Sequence, residues 1–359
     1  MGLNKRLIGG AAGGAVPVNT DNFDVVTYTG TNNSTSVSIS SLDFQPDLII
    51  HKVRNDSWSH WLYDSVRGAG GSTELQTNSS AAEGGSNNET YGYLASFDSN
   101  GFTSGVGVND GQYFNGSGKN FVAWCFKGGG SSNTFNINGT GYSTASAAGL
   151  SISTGSLLGA SVNSDAGFGI YKIDPGNTTN DANTITHRLG GEPELIITKR
   201  LGSTGNWYSY TKTTGTNKYL FLNTSDAQQG SATTWGVSST TFSAYTDQSL
   251  YTDNTIIYAF RSVDGYQKVG TYGGNGSTQT IDVGFEPRFV MFKRTDSTGE
   301  WTLIDSERNN GDNWLYANLS NTEGANINRT TLVSNGFALD GNSSSCNESG
   351  STYIYLAIA

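Results

Sequence analysis

One seven-residue pattern occurs three times in this chain and limits what it can fold into. The copies are PDLIIHK at residues 46–52, PELIITK at 193–199 and PRFVMFK at 287–293. A tryptophan follows each copy, because Trp58, Trp207 and Trp301 lie 12 or 14 residues after the proline. Proline, an apolar run, lysine and tryptophan at near-constant spacing indicate that one structural unit has been copied. The sequence therefore predicts three similar units in tandem.

The composition favours β-structure in each unit. The chain of 359 residues has 48 glycines and only 14% charged residues, and it lacks the stretches of Ala, Leu, Glu and Lys from which helices are built. Its formal net charge of −10 disfavours nucleic acid or an anionic membrane surface as a partner. We therefore expect an all-β protein with neither of these partners.

Strand signals recur in the same order in every unit. The opening strands are predicted at 23–28, 168–173 and 266–272. The repeated proline motif indicates a buried strand, since a proline at the head of a strand needs no N–H partner. The closing strands are predicted at 121–126, 256–260 and 353–358. Because the closing strands are apolar on both faces, we expect them in the middle of a sheet.

Turn signals separate these strands. The pairs Asn100-Gly101 and Asn335-Gly336 predict tight hairpins in which residues with positive φ make the turn. Short strands divided by turns in a unit of about 100 residues are typical of a β-sandwich. The predicted fold is therefore all-β, with three tandem antiparallel β-sandwich domains of about 100 residues each and an N-terminal arm.

The spacing of the repeats sets the predicted boundaries. They are an arm at 1–20, sandwiches at 21–130, 166–265 and 266–359, and a polar linker at 131–165. The linker is rich in Gly, Ser, Thr and Asn, so we expect a loose connector with at most a strand or two, which lets the first sandwich swing. No linker separates the second and third sandwiches, which we expect to dock rigidly.

The residues that most often carry catalysis show no supporting pattern. The three histidines, His51, His60 and His187, fall at unrelated places in the repeat and have no nearby nucleophile motif. Cys125 and Cys346 lack neighbours at metal-ligand spacing and are interpreted as reduced thiols. We therefore predict a protein that is not an enzyme.

Two aspartates occupy equivalent places in different repeats. Asp64 and Asp305 each follow a strand, whereas a glycosidase needs two carboxylates facing each other in one cleft. The favoured interpretation is that each caps a turn or pairs with Arg67 or Arg308, a few residues later. Residues 174–177 offer oxygen ligands but lack the spacing of a known calcium loop, so no cofactor is expected.

Two tryptophans outside the repeated positions are candidates for contact with a ligand. Trp235 and Trp314 stand in segments rich in Thr, Asn and Gly, and an exposed indole can stack on a sugar or a partner protein. The alternative is that each is an ordinary, partly buried loop residue. We retain both as possible glycan or partner contacts.

Three short segments carry a resemblance to a known group of proteins. They are GFEPRFV at 284–290, YDSVRG at 63–68 and VAWCFK at 122–127. With these segments the chain resembles the repeat-containing virion structural proteins of tailed bacteriophages, especially marine ones. The similarity covers nearly the whole chain, although the second repeat departs most because Tyr210-Thr211-Lys212-Thr213 stands where the others keep Asp-Ser. The resemblance implies lectin-like sandwiches and a location in the virion, after assembly in the bacterial host cytoplasm.

The predicted function follows from these observations. We expect a non-enzymatic structural protein of a tailed-phage virion, a tail appendage or a capsid decoration protein, present as a homo-oligomer and bound to other tail or capsid proteins. The arm would anchor it through Asn4, Lys5 and Arg6, whose two cations suit acidic groups on a partner. The alternative is a carbohydrate-binding adhesin that contacts a host-surface glycan. A polysaccharide-degrading enzyme is the third and least favoured reading.

Overall fold

Nearly all of the regular secondary structure in the described residues is β-strand, which confirms the all-β prediction. The structure is a computed structural model that describes residues 22–176, 183–230, 235–244 and 253–359. The predicted arm at residues 1–20 lies outside this range. Among the described residues no helix is long and apolar enough to cross a membrane, and both α-helices have four residues.

The first lobe, residues 22–127, is a sandwich of two antiparallel sheets. Its elements are β1 (Phe23–Thr29), β2 (Ser38–Ile39), β3 (Leu48–Val53), β4 (Trp61–Asp64), β5 (Leu75–Gln76), α1 (Asn88–Tyr91), β6 (Tyr93–Asp98), β7 (Gly101–Gly105), α2 (Gln112–Asn115) and β8 (Asn120–Phe126). The larger sheet has the order β1-β8-β3-β4-β5, and the smaller has β2-β7-β6. The closing strand β8 is central, as its apolar sequence predicts.

The second lobe, residues 128–262, repeats this plan with additions. Its strands are β9 (Phe135–Ile137), β10 (Thr140–Tyr142), β11 (Ser151–Ile152), β12 (Ser156–Asn163), β13 (Phe168–Asp174), β14 (Asn183–Thr186), β15 (Leu195–Arg200), β16 (Tyr208–Thr211), β17 (Lys218–Phe221), β18 (Gln229–Gly230), β19 (Gly236–Val237), β20 (Thr241–Ala244) and β21 (Thr255–Phe260). The sheets have the orders β10-β9-β12-β13-β21-β15-β16-β17-β18 and β11-β14-β20-β19.

The predicted loose linker at 131–165 is wrong, because this segment holds four strands, β9 to β12, instead of one or two and forms part of the second lobe. Strand β12 pairs along the outer edge of β13, and β9 pairs parallel to β12. Phe135, Ile137 and Val162 are buried in the core of that lobe. A few apolar side chains at alternating positions are enough to hold a strand on a sheet whose edge is open, so the polar composition was misleading.

The third lobe, residues 263–359, repeats the plan without additions. Its elements are β22 (Gln267–Gly273), β23 (Gln279–Asp282), β24 (Phe289–Arg294), β25 (Thr302–Asp305), a 3₁₀ turn at Asn309–Gly311, β26 (Leu315–Tyr316), β27 (Thr330–Val333), β28 (Gly336–Leu339) and β29 (Thr352–Ile358). The sheets have the orders β22-β29-β24-β25-β26 and β23-β28-β27. Closing strands β21 and β29 are central like β8, which confirms the prediction for all three lobes.

Strand register defines which residues are equivalent in the three lobes. The last residue of β4, Asp64, corresponds to Thr211 and Asp305, since these three pair with the first residues of β3, β15 and β24. By the same register, Trp207 and Trp301 correspond to His60. The repeated tryptophan is therefore a histidine in the first lobe, and Trp58 lies outside the repeated position.

A single apolar core runs through all three lobes. Phe126, at the end of β8, contacts Phe23 of its own lobe, Phe168 and Phe260 of the second and Phe289 of the third, with ring centroids 4.9 to 6.3 Å apart. The first and second lobes also have separate clusters between their two sheets. The expectation that the first lobe moves freely is wrong, because its large sheet is buried against both neighbours.

The predicted Asn-Gly hairpins form, but for a different reason. Strands β6 and β7 are joined through Ser99 and Asn100, and no left-handed φ occurs at Asn100 or Asn335 among the described residues. Gly101 and Gly336 are needed because a Cβ there would lie 1.8 and 1.9 Å from a carbonyl oxygen of the neighbouring strand. Close approach of two backbones selects glycine at both positions. At Gly101 the φ of 155° favours glycine as well.

Candidate functional site

The same backbone hydrogen bond joins each lobe to the next. The three bonds run from Glu83 N to Leu201 O (2.9 Å), from Gln228 N to Thr295 O (2.8 Å) and from Glu323 N to Arg54 O (2.8 Å). The first lobe thus donates to the second, the second to the third and the third to the first. Three head-to-tail contacts of one kind close a ring around an approximate threefold axis.

Indole groups reinforce two of the joints between lobes. Trp207 of the second lobe donates from Nε1 to the carbonyl of Gln76 in the first lobe at 3.0 Å. Trp301 of the third lobe makes the equivalent bond to Phe221 of the second lobe at 2.9 Å. The repeated tryptophan is therefore a core residue that also fastens one lobe to another.

At the third joint, His60 takes the place of the tryptophan. Its ring lies parallel to Trp124 with centroids 6.2 Å apart. Burial lowers the pKa of His60 well below its usual value and the charges of Lys52 and Arg308 lower it further, whereas the carbonyl of Leu319 in the third lobe acts in the opposite direction. This joint therefore contains a neutral imidazole where the other two contain an indole.

A buried carboxylate links the first and second lobes. Asp64 accepts from Arg67 Nε of its own lobe and from the hydroxyl of Tyr258 in the second lobe, both at 2.6 Å. It also accepts the backbone N–H of Arg67 at 2.9 Å, and Arg67 donates to Glu83 at 3.0 Å. The prediction that Asp64 caps a turn and pairs with Arg67 is confirmed. Its further contact with another lobe could not be read from the sequence.

The first and third lobes are linked in the same way. Asp305 accepts from Arg308 Nε at 2.7 Å and from Trp124 Nε1 of the first lobe at 2.8 Å. Glu323 accepts from Arg308 at 3.0 Å and from Arg54 of the first lobe at 2.8 Å. Burial raises the pKa of Glu323, but Arg54 and Arg308 outweigh this effect and hold it below the usual value. The predicted pairing of Asp305 with Arg308 is confirmed.

The joint between the second and third lobes lacks such a carboxylate. Thr211 stands at the equivalent position and bonds to Thr214, at 2.9 Å, where the other lobes have the arginine. On the third lobe Leu356 occupies the position at which Trp124 and Tyr258 donate a hydrogen bond in the other two lobes. Threonine, threonine and leucine thus replace the carboxylate, the arginine and the donor ring of the other joints. Because both charged residues are replaced together, no buried charge is left unpaired.

Three lysines of the repeated motif are buried beside the joints. Lys199 reaches the carbonyl of Ser80 in the first lobe, and Lys293 reaches that of Ser225 in the second, both at 3.4 Å. Burial lowers the pKa of Lys52 to about 7 and those of Lys199 and Lys293 to about 8. Lys52 instead donates to the carbonyls of Val53 and Asp56 in its own lobe, at 2.6 and 3.0 Å. The repeated lysine is therefore buried in all three lobes and reaches a neighbouring lobe in two of them.

The two tryptophans predicted as surface contacts are buried. Trp235 and Trp314 each have 2% of their surface exposed. Trp235 packs on Tyr210 with ring centroids 5.4 Å apart, and Trp314 donates to the Thr330 hydroxyl at 2.8 Å. Both indoles fill the space between two sheets, so neither can stack on a glycan, and the prediction is wrong for both. The predicted anchoring residues Asn4, Lys5 and Arg6 lie outside the described residues.

Three partly exposed aromatic rings lie together on the first lobe. A second group, formed by Tyr208, Tyr219 and Phe221 with ring centroids 5.0 to 5.2 Å apart, lies on the second lobe, but it contains no tryptophan. Six of the seven tryptophans are buried, and the exception is Trp58 in the loop after β3. The rings of Trp58 and Tyr91 lie 5.2 and 5.4 Å from that of Tyr113. We call these three residues the aromatic surface. A polar rim borders it, because Lys119 Nζ lies 5.3 Å from the Trp58 ring and 2.6 Å from the carboxylate of Asp56.

Elements that only the first lobe possesses build the aromatic surface. Tyr91 belongs to α1 and Tyr113 to α2, and the described parts of the other lobes contain no α-helix. The strand register places Gly205 and Gly299 at the positions equivalent to Trp58. Counting fourteen residues from each proline, which reaches His60, Trp207 and Trp301, would have identified Trp58 as the unrepeated residue.

A polar cleft of about 580 Å³ opens on the third lobe. Four of its asparagines have φ between 48° and 56°: Asn309, Asn310, Asn326 and Asn328. Their side chains are largely engaged with the surrounding loops, as in the bond from Asn310 Nδ2 to the Leu332 carbonyl at 3.2 Å. Asparagine tolerates this conformation better than other residues with side chains, so the asparagines serve the loop geometry of the cleft.

The buried thiols and histidines do not form a metal centre. Within the part of the chain that the structure describes, no three His, Cys, Asp or Glu side chains are grouped as metal ligands would be. Cys125 and Cys346 are free and buried, in agreement with the prediction of reduced thiols. Burial raises the pKa of Cys346 to about 11, which keeps it protonated and unreactive at neutral pH.

One family matches the chain. The family described as a domain of unknown function (DUF7483) matches residues 18–359 and so includes all three lobes. A search of the curated proteins finds no match to the chain, and a search of the solved structures finds none either.

Proposed function

Since the chain belongs to the DUF7483 family, a domain family of unknown function, we propose a role from its own residues: it is a non-enzymatic structural protein of a tailed-phage virion. In this role it is a tail appendage or a capsid decoration protein, present in several symmetric copies. Its N-terminal arm attaches it to other virion proteins. The resemblance of segments 63–68, 122–127 and 284–290 to virion proteins supports the location.

The observation that carries the proposal is the closed ring of lobes. Buried residues at the joints are devoted to holding one lobe against another, as in the bonds from Trp124 to Asp305 and from Tyr258 to Asp64. A continuous core with paired buried charges resists local opening. Such a body suits a particle surface, where a rigid platform is presented many times.

Deletion of residues 1–20 tests the attachment. We expect the truncated protein to fold, because the deletion removes none of the described residues, and to be missing from purified particles. Full-length protein with Lys5→Gln and Arg6→Gln, which loses only two cations, is the matched variant and should be incorporated less than the wild type. Particles that contain normal amounts of the truncated protein would contradict the proposed role of the arm.

A carbohydrate-binding adhesin is the second candidate, and the two roles are compatible. The specific observation in its favour is the aromatic surface of the first lobe, whose rings pack on the core but stay partly exposed. Binding of the purified protein to an oligosaccharide array tests this candidate independently of particle assembly. Cleavage of a bound polysaccharide would instead support the enzymatic reading.

A further inference from the structure

We infer that the aromatic surface is a saccharide-binding site. In this site the C–H face of a pyranose ring lies against Trp58, and its hydroxyls bond to the pair formed by Lys119 and Asp56. The inference gives the adhesin candidate a location and a ligand class, and it does not depend on where the protein sits in a virion.

Comparison of the lobes shows that the scaffold does not need Trp58. Gly205 and Gly299 occupy its position in the second and third lobes, and each donates its backbone N–H to a neighbouring lobe, to Ser80 O at 2.8 Å and to Ser225 O at 2.9 Å. The loop therefore docks in those two lobes without a side chain. Trp58 packs against the core of the first lobe beside Trp61, with ring centroids 6.3 Å apart, but part of its indole stays exposed. Because glycine suffices at this position in the other lobes, we attribute the exposed part of the indole to contact with a ligand.

The rings are held in place before any ligand arrives. Tyr113 stacks on the buried Trp61 with ring centroids 4.4 Å apart, and it contacts both Trp58 and Tyr91. The loop between β7 and α2, which leads to Tyr113, is fixed to α1 by two backbone bonds. They run from Val108 N to Glu89 O at 2.8 Å and from Asn109 N to Thr90 O at 2.9 Å. Aromatic side chains fixed by their neighbours lose little conformational entropy on binding.

The rim supplies donors and acceptors suited to hydroxyl groups. Lys119 Nζ and the Asp56 carboxylate are 2.6 Å apart, and about a third of each side chain remains exposed. The pair offers a cation and an anion side by side, which suits a neutral polyol better than a polyanion. The net charge of −10 also disfavours a strongly anionic ligand.

Trp58→Gly is the direct test, because it installs the residue that the other two lobes already use. The probes are immobilised oligosaccharides of β-linked glucose, galactose and N-acetylglucosamine. We expect the wild type to bind at least one of them and Trp58→Gly to lose affinity by about tenfold or more, as for the truncation of a central aromatic contact. Asn328→Gly is the matched control, since it alters the cleft of the third lobe at a left-handed position that glycine accepts.

A measurement on the unmodified protein keeps the test independent of folding of the variant. Mild oxidation with N-bromosuccinimide should modify Trp58 first, because the other six tryptophans have 2% or less of their surface exposed. The oligosaccharide that binds best should protect Trp58, as read by peptide mass spectrometry. Protection together with the affinity loss supports the site.

Three results overturn the inference. They are absence of binding by the wild type to every probe, unchanged affinity in Trp58→Gly, and oxidation of Trp58 at the same rate with a bound oligosaccharide. Loss of binding in Asn328→Gly alone would place the site in the cleft of the third lobe and also overturn it. Incorporation of Trp58→Gly into particles is expected to be normal, so failure of this site is distinguishable from failure of the structural role.

Discussion

The joint between the first and third lobes and the joint between the second and third lobes occupy equivalent places in the ring but use different chemistry. At the former, Trp124 donates to the buried Asp305, which pairs with Arg308. At the latter, Leu356 and Thr211 stand at the positions of donor and acceptor. A joint can therefore close without buried charges. Where a buried carboxylate is present, the joint must also supply a cation and a hydrogen-bond donor to it.

The joints also differ in chain connectivity. The second and third lobes are covalently continuous, because β21 leads through six residues into β22, whereas the first and third lobes have no direct chain connection. The Arg54 and Glu323 pair, 2.8 Å apart, adds a further link between the first and third lobes. Connectivity alone does not decide the chemistry of a joint, because the first and second lobes also follow each other directly and still share the buried Asp64.

The largest effect is expected from Asp305→Ala. The substitution leaves Arg308 and the Trp124 N–H without their buried acceptor, and loss of one member of a buried ion pair costs about 3–5 kcal/mol. The measurement is the free energy of unfolding by urea, followed by tryptophan fluorescence.

Thr211→Ala is the matched control at the uncharged joint. It removes a neutral hydroxyl that bonds to Thr214, so we expect a loss of about 1 kcal/mol. Equal losses for the two variants would show that the joints do not differ in the way their contacts indicate.

A smaller effect is expected from Tyr258→Phe, which tests the joint between the first and second lobes. It removes only the hydroxyl that donates to Asp64 at 2.6 Å, and a hydrogen bond to a charged group contributes about 1.5–3 kcal/mol. Tyr142→Phe, on the short strand β10, is the control and should change the stability by less than about 0.5 kcal/mol. If the two variants have the same stability, the bond to Asp64 does not strengthen the joint.

The third prediction concerns the pH dependence of stability. It separates the effect of His51, which lies inside the first lobe, from that of His60, which lies at a joint. Burial and the charge of Lys52 lower the pKa of His51 from 6.5 to about 3. Between these values the unfolded chain binds a proton at His51 that the folded chain does not, so stability falls as the pH decreases below 6.5. At pH 5 the unfavourable protonation of His51 lowers the free energy of unfolding by about 2 kcal/mol.

His51→Phe should remove this contribution of His51 to the pH dependence of the unfolding free energy. Phenylalanine is chosen because Phe292 occupies the equivalent position in the third lobe. The measurement is the difference in unfolding free energy between pH 7.5 and pH 5 for the wild type and the variant. The acid sensitivity that remains then includes His60, the imidazole at the joint between the first and third lobes. An unchanged difference in His51→Phe would show that His51 is not the source.

Much of the fold could be predicted because the deciding signals are local. Periodic apolar runs and turn residues locate strands such as β8 and β24, and three copies of one pattern reinforce each other. The pairing of Asp64 with Arg67 was also predictable, since the two residues are close in sequence and belong to one turn. These predictions needed no knowledge of how the lobes meet.

The contacts between lobes could not be predicted in the same way. Whether Tyr258 reaches Asp64 depends on the relative position of two lobes, which no sequence periodicity records. The burial of Trp235 and Trp314 has the same cause, because polar flanking residues describe the loop and not the direction of the indole. For Trp58 the signal was present in the sequence, since it lies two residues before the repeated position. The strand register confirms that His60 holds that position.

The shared core has a consequence for the origin of such a chain. Phe126 and its neighbours form a surface that one lobe alone would expose to water, and the head-to-tail bond between lobes closes after three steps. An isolated lobe with this surface could bury it only by assembling with two copies of itself. The plan is that of a homotrimer whose protomers have been fused, with each third of the molecule free to diverge. The first lobe carries the aromatic surface, and the second has three extra strands, β12, β9 and β10, at the edge of its large sheet.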